Sequence, residues 1–193
     1  MPTTCTAFAG TRRIASGPPE QVALAVKAAS DAKGDGSLLI FDDVSGASMD
    51  FDLRGTPEDI LARLASEPPD QQPEPARGPG RPKLGVVARE VTLLPRHWDW
   101  LAAQPGGASV ALRKLVDAAR VSHAGADRQR LAQQSADRFM SALAGNEPGY
   151  EEAARALYAG DRARFAQSMV AWPADVRDHA LRLAAAAFDD GAA

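Results

Sequence analysis

The sequence has a single cysteine, Cys5, among its 193 residues. One cysteine cannot form an intramolecular disulfide or a cysteine-built zinc site, and this usage suits a reducing cytosol. The chain also lacks an apolar run of eighteen residues, and its N-terminus has neither the basic start nor the apolar stretch of a signal peptide. We therefore expect a cytoplasmic protein with no membrane segment.

Motifs for catalysis are missing as well. The sequence contains no Gly-x-Ser-x-Gly elbow, no phosphate-binding loop and no dinucleotide fingerprint. His97, His123 and His179 share no ligand spacing, so each is expected at the surface or at an interface. Cys5 lies on the first predicted strand, where a lone cysteine is usually a small core residue. We predict no enzyme activity, no cofactor and no small-molecule substrate.

Acidic residues gather around one predicted hairpin. They are Asp42, Asp43, Asp50 and Asp52. Carboxylates at this density are able to hold Mg²⁺ or Ca²⁺. Asp50 and Asp52 alternate with Met49 and Phe51, however, a pattern typical of the solvent-exposed side of a half-buried strand. A solvated face is the favoured interpretation, and a metal site stays open.

Charge is unevenly distributed, although the formal net charge is only −3. Residues 1–76 carry six basic and twelve acidic side chains, and residues 131–193 carry six and nine. Residues 77–130 carry ten basic and only four acidic side chains. A basic middle between acidic ends bears on the partners of the chain, because summed charge sets the local potential.

The N-terminal part of the chain predicts a small α+β domain. Residues 1–66 give a β-α-β-β-α order, with strands at 4–15 and 49–54 and a second helix capped by Thr56. Residues 67–85 hold six prolines and no apolar periodicity. They predict an exposed, basic, Pro/Gly-rich linker.

The rest of the chain predicts a strand followed by helices. Residues 86–122 form a strand-helix-helix unit with its strand at 86–94, and Ser109 caps its second helix. Trp98 and Trp100 lie two apart on the first helix and point to different sides, one expected in the core and one at an interface. Residues 123–193 predict an amphipathic helical bundle. The whole protein is therefore expected to be α+β.

The stretch Gly80-Arg81-Pro82 resembles the AT-hook. Glycine lets the backbone approach a groove floor, and proline holds an extended line. The resemblance implies that Arg81 and Lys83 enter the narrow, negative minor groove of A·T-rich DNA. A solvated basic linker is the alternative.

Two flanking arginines, Arg77 and Arg89, are the predicted phosphate contacts of this arm.

Residues 89–120 resemble the ribbon-helix-helix fold of bacterial repressors and antitoxins. That resemblance implies a homodimer whose paired strands enter the major groove. It also implies a shared core that contains Leu94, Trp98, Leu101, Leu112 and Leu115. The base-reading positions of that family match Leu93, Val91 and Arg89, and leucine and valine can contact only a thymine methyl. The alternative is a strand-helix-helix unit that serves packing or dimerisation alone.

Two long runs, "GRPKLGVVAREVTLLPRHWDWLAAQPGGAS" and "YAGDRARFAQSMVAWPADVRDHALRLA", resemble an uncharacterised bacterial family, a domain of unknown function. This resemblance implies no activity. From the residues we expect a DNA-binding, regulatory homodimer, and a non-enzymatic protein-interaction or dimerisation module is the alternative.

Overall fold

The computed structural model describes residues 4–32, 36–66, 87 and 89–189. In chain order, its strands and helices are β1 (Cys5–Ala9), β2 (Arg12–Gly17), α1 (Pro19–Asp31), β3 (Leu38–Asp42), β4 (Ser48–Met49), α2 (Pro57–Ser66), α3 (Pro95–Ala102), α4 (Gly107–Ser122), α5 (Ala124–Leu143), α6 (Tyr150–Ala159), α7 (Arg162–Ser168), α8 (Ala174–Leu183) and a final 3-10 turn, Ala185–Phe188. The predicted α+β class is confirmed.

The four strands form one antiparallel sheet in the order β2-β1-β3-β4. The single strand predicted over 4–15 is wrong, because the chain reverses at Gly10 (φ +57°) and forms two strands. The strand predicted over 49–54 is also wrong in extent, since β4 is only two residues long. Phe51 and Leu53 nevertheless pack on the core side, as their alternation predicts.

The sheet is buried on both faces. On one face Cys5, Ala7 and Ile40 pack against Val22 and Val26 of α1. Cys5 is fully buried, so its prediction as a small core residue is confirmed. Because β1 is covered on both sides, almost all of its residues are buried rather than every second one.

The other face of the sheet packs against the C-terminal helices. The Phe139 ring of α5 lies 5.4 Å from Phe8 and 5.0 Å from Phe41, measured between ring centroids. His179 of α8 lies 4.4 Å from Phe139 by the same measure. The described residues of segments 1–66 and 123–193, which were predicted as separate domains, therefore share one core.

The chain divides into two compact units. The first contains the described residues of Met1–Pro69 and Gly125–Ala193, and the second contains those of Asp70–Ala124. The second unit is thus an insertion between the two halves of the first. The predicted linker, 67–85, lies outside the described residues.

Of the two helix caps predicted from the sequence, one is confirmed and one is wrong. At α2 the Thr56 hydroxyl accepts from the Asp59 amide (3.3 Å), and the Asp59 carboxylate accepts from the Thr56 amide (2.9 Å), which confirms the predicted cap. At α4 the predicted Ser109 cap is wrong. The sharp reversal after α3 requires a left-handed residue, Gly106 (φ +87°), and the helix begins directly after it.

The strand predicted over 86–94 is wrong for the residues that the structure describes. Residue 87 and residues 89–94 form no strand. A strand needs the backbone groups of a neighbouring strand, and β-prone side chains alone do not supply them. Without that strand, the resemblance to a ribbon-helix-helix fold is not supported.

Candidate functional site

The second unit contains a hairpin of two helices with a very small core. Helices α3 and α4 are joined by four residues, 103–106, and pack against each other. Leu101 and Ala111 are the buried side chains of these two helices, at 3% and 8% exposure. A core of this size gives little hydrophobic stabilisation to the hairpin on its own.

The two helices differ in length by a factor of two. At 1.5 Å per residue, the eight residues of α3 span about 12 Å and the sixteen residues of α4 about 24 Å. Consistent with this difference, every residue from Arg113 to Ser122 is exposed. The second half of α4 therefore has no packing partner among the described residues.

Large apolar side chains lie exposed on this hairpin. We call them together the hairpin surface: Leu94, Trp98, Trp100, Leu115 and Val116, each 41–54% exposed. Leu115 and Val116 belong to a stripe on α4 with Leu112 and Ala119, at helical spacings of three and four residues. Neither tryptophan is a core residue, so the expectation that one of them would be buried is wrong. An apolar surface rimmed by charged residues is typical of a protein-binding site.

A second notable feature is a polar cluster in the first unit, formed by the buried Thr6 and His179, the largely buried Asp43 and the half-exposed Arg182. The Asp43 carboxylate accepts from the Thr6 hydroxyl (2.7 Å) and from the Arg182 guanidinium (2.9 Å). Nδ1 of His179 accepts from Arg182 (2.7 Å), so the ring proton lies on Nε2. That Nε2 is buried, has no hydrogen-bond partner in the described part of the chain, and lies 3.9 Å from Asp43 Oδ1.

His179 is fully buried, so its prediction as a surface or interface residue is wrong. It follows Val176 by three residues on the buried side of α8 and contacts the rings of Phe8 and Phe139. Burial, and next the nearby Arg182 charge, lower the pKa of His179 to about 4, against an opposing effect of Asp43. His179 is therefore neutral at neutral pH.

The polar cluster has a structural role. The Thr6 hydroxyl is fully buried, so a substrate cannot reach it. Arg182 donates to both Thr6 (3.0 Å) and Asp43, and so connects α8 to β1 and to the residue after β3. The cluster fastens a C-terminal helix to the N-terminal sheet.

The acidic residues of the predicted hairpin do not converge on one site. Asp42 accepts from backbone amides of its own turn, and Asp50 and Asp52 line a cavity of about 250 Å³ beside α2. Arg54 binds both carboxylate oxygens of Asp52, at 2.8 and 2.7 Å, and these bonds hold the pKa of Asp52 well below its usual range. Among residues 4–32, 36–66, 87 and 89–189, no three His, Cys, Asp or Glu side chains are grouped so that they could hold a metal ion.

Most of the predicted DNA-binding residues lie outside the described residues. They are Arg77, Gly80, Arg81, Pro82 and Lys83. Arg89 is described and exposed, in a segment that forms no strand. DNA binding by this arm therefore stays a prediction.

The hairpin surface was not predicted as a site, because the resemblance to a ribbon-helix-helix fold places Leu94, Trp98 and Leu115 in a core. The excess length of α4 over α3, which leaves these side chains uncovered, is seen only in the structure.

Comparisons with known proteins give one match. Residues 4–184 match DUF2239, a family described as uncharacterised and conserved in bacteria. No curated protein and no solved structure matches the chain. Among the described residues, none of the helices combines the length and the apolar character that crossing a bilayer requires.

Proposed function

We propose that this chain, which belongs to the bacterial family DUF2239, is a protein-interaction module that binds its partner through the hairpin surface. One observation carries the proposal: the ten residues from Arg113 to Ser122 are all exposed, and the stripe they carry includes Leu115 and Val116 at about half exposure. Trp98 and Trp100 add two aromatic side chains of the kind enriched at the centres of interfaces.

The energetic argument points the same way. Burial of apolar surface is worth about 25 cal/mol per Å². The hairpin buries two side chains of its own and leaves five large ones half-exposed, so a partner surface is needed to bury most of its apolar area. The polar cluster offers no comparable surface, because its side chains are bonded to one another.

Site-specific photo-crosslinking tests this function. A benzoylphenylalanine is placed at Leu115, and in a matched control at Arg113, which lies about 160° away on the other side of α4. In the cells that naturally produce the protein, irradiation is expected to give a discrete adduct from position 115 and none from position 113. Equal yields at the two positions, or no adduct at either, would contradict the proposal.

A second candidate is DNA binding by the basic arm. It is favoured by the charge of residues 77–130, ten basic against four acidic. Fluorescence anisotropy with A·T-rich and G·C-rich duplexes is expected to show A·T preference and a salt slope of roughly −0.9 per phosphate neutralised. Arg81→Ala should abolish the preference, and the control Arg12→Ala should not. Equal binding to both duplexes by the wild type would contradict this candidate.

A further inference from the structure

We infer that the occupant of the hairpin surface is a second copy of this chain, bound across a two-fold axis that passes near the middle of α4. This inference rests on the proposed function. It adds the identity of the partner and the way in which the two copies fit.

The first argument comes from helix lengths. The part of α4 that α3 leaves uncovered is about 12 Å long, and α3 itself is about 12 Å long. If two α4 helices pair antiparallel, the uncovered half of each lies beside the covered half of the other. Each α3 then covers the first half of its own α4 and also reaches the second half of the partner's α4.

The second argument comes from the two apolar sides of α3. Leu101 is buried, and Trp98 precedes it by three residues on the same side of α3. Trp100 lies on another side of α3 and is 52% exposed. If α3 packs only against its own α4, the side that carries Trp100 stays in water. If α3 lies between two α4 helices, both of its apolar sides are buried.

The third argument comes from area. Half the surface of two tryptophans and three aliphatic side chains amounts to roughly 400 Å² of apolar area in each copy. A standard interface buries about 800 Å² per partner, slightly more than half of it apolar. The hairpin surface therefore has the apolar area that one stable two-fold dimer needs, and a two-fold interface requires only one kind of surface.

The test measures the mass of the purified full chain by sedimentation and light scattering at several concentrations. We expect twice the 20.3 kDa of one chain. Leu115→Glu should raise the dimer dissociation constant at least tenfold, and Arg113→Glu, which introduces the same residue on the other side of α4, should leave it unchanged. A dimer that Leu115→Glu does not weaken would overturn the inference, because the copies would then meet elsewhere.

A second variant decides the case if Leu115→Glu fails to fold. Leu115→Cys keeps a small apolar side chain near the proposed axis and should form an intermolecular disulfide under mild oxidation. Arg113→Cys should not, and the native Cys5 is buried. Equal disulfide yields from the two variants would overturn the inference.

The two proposals fail separately. If the wild type is monomeric, the inference that the partner is a second copy is wrong. The proposed interaction function would still stand if position 115 gave a photo-adduct whose mass is not that of two copies. The absence of any position-specific adduct would overturn both.

Discussion

The buried imidazole of His179 should make this protein lose stability in mild acid. Its pKa in the folded chain is lowered to about 4, from an ordinary value of 6.5 that the unfolded chain retains. Between pH 6.5 and pH 4 the imidazole is protonated in the unfolded chain and neutral in the folded chain. The contribution of His179 to the free energy of unfolding is therefore fully present above pH 6.5 and is lost as the pH falls toward 4. The facing charges are Asp43, Arg182 and Arg13, and protonation of Nδ1 would also remove the acceptor that Arg182 uses.

The expected loss from this one group is about 2.5 kcal/mol between about pH 7.5 and about pH 4.5, at 1.36 kcal/mol for each unit of pKa difference. Other groups titrate in the same range, so the informative quantity is the difference between the wild type and His179→Gln. That difference is measured by urea unfolding, followed by far-ultraviolet circular dichroism at several pH values. It should shrink by the stated amount as the pH falls.

The matched control is His123→Gln, because His123 is an exposed histidine at the end of α4. Because this side chain is exposed, the variant measures the effect of a histidine-to-glutamine exchange that removes no buried group. If the difference between wild type and His179→Gln stays constant across the range, the imidazole titrates normally in the folded protein and the reasoning is refuted.

Three further outcomes follow from single side chains. Burial first, and then nearby carboxylates, raise the pKa of the Cys5 thiol to about 11. A thiol reagent should therefore leave Cys5 unmodified at neutral pH until urea unfolds the chain. Fast labelling of the folded protein would argue against this. Trp172→Phe removes a 2.8 Å bond from the indole to a backbone carbonyl and should cost about 1–3 kcal/mol in urea unfolding, whereas Trp100→Phe should have little effect on monomer stability. Asp43→Ala should cost about 1–3 kcal/mol, because it removes the acceptor of the buried Thr6 hydroxyl and of the half-exposed Arg182 guanidinium, and the exposed Asp50 offers a control that should cost far less.

A local signal in the sequence located the start of α2. Thr56 marks it, because a side-chain cap acts on its own neighbours. Strands were harder to predict. Whether residues 89–94 become a strand depends on a pairing partner elsewhere in the chain, and that partner cannot be read from the segment itself.

The shared core could be predicted only in part. Val176, His179, Ala180 and Leu183 recur at the spacing of one helix face, and that pattern places His179 on the buried side of α8. The sequence does not say that this face meets β1, which lies some 170 positions earlier. The helices were identified from local pattern, whereas the contact between the two ends depends on the folded topology.

The hairpin surface was visible in the sequence but was interpreted differently. Leu94, Trp98 and Leu115 have the spacing of packed residues, and periodicity alone does not tell whether the packing lies within one chain or between two. Their exposure in the structure supplies the missing information.

The shared core of the two ends has a consequence for synthesis. Phe8 is synthesised well before Phe139 and His179, which cover it. A nascent or truncated chain that stops before α5 would present Phe8 and Phe41 to water and to other unfolded chains. Chaperones and proteases would therefore act chiefly on incomplete chains, and a premature stop codon anywhere before α8 should eliminate the protein rather than yield a working fragment.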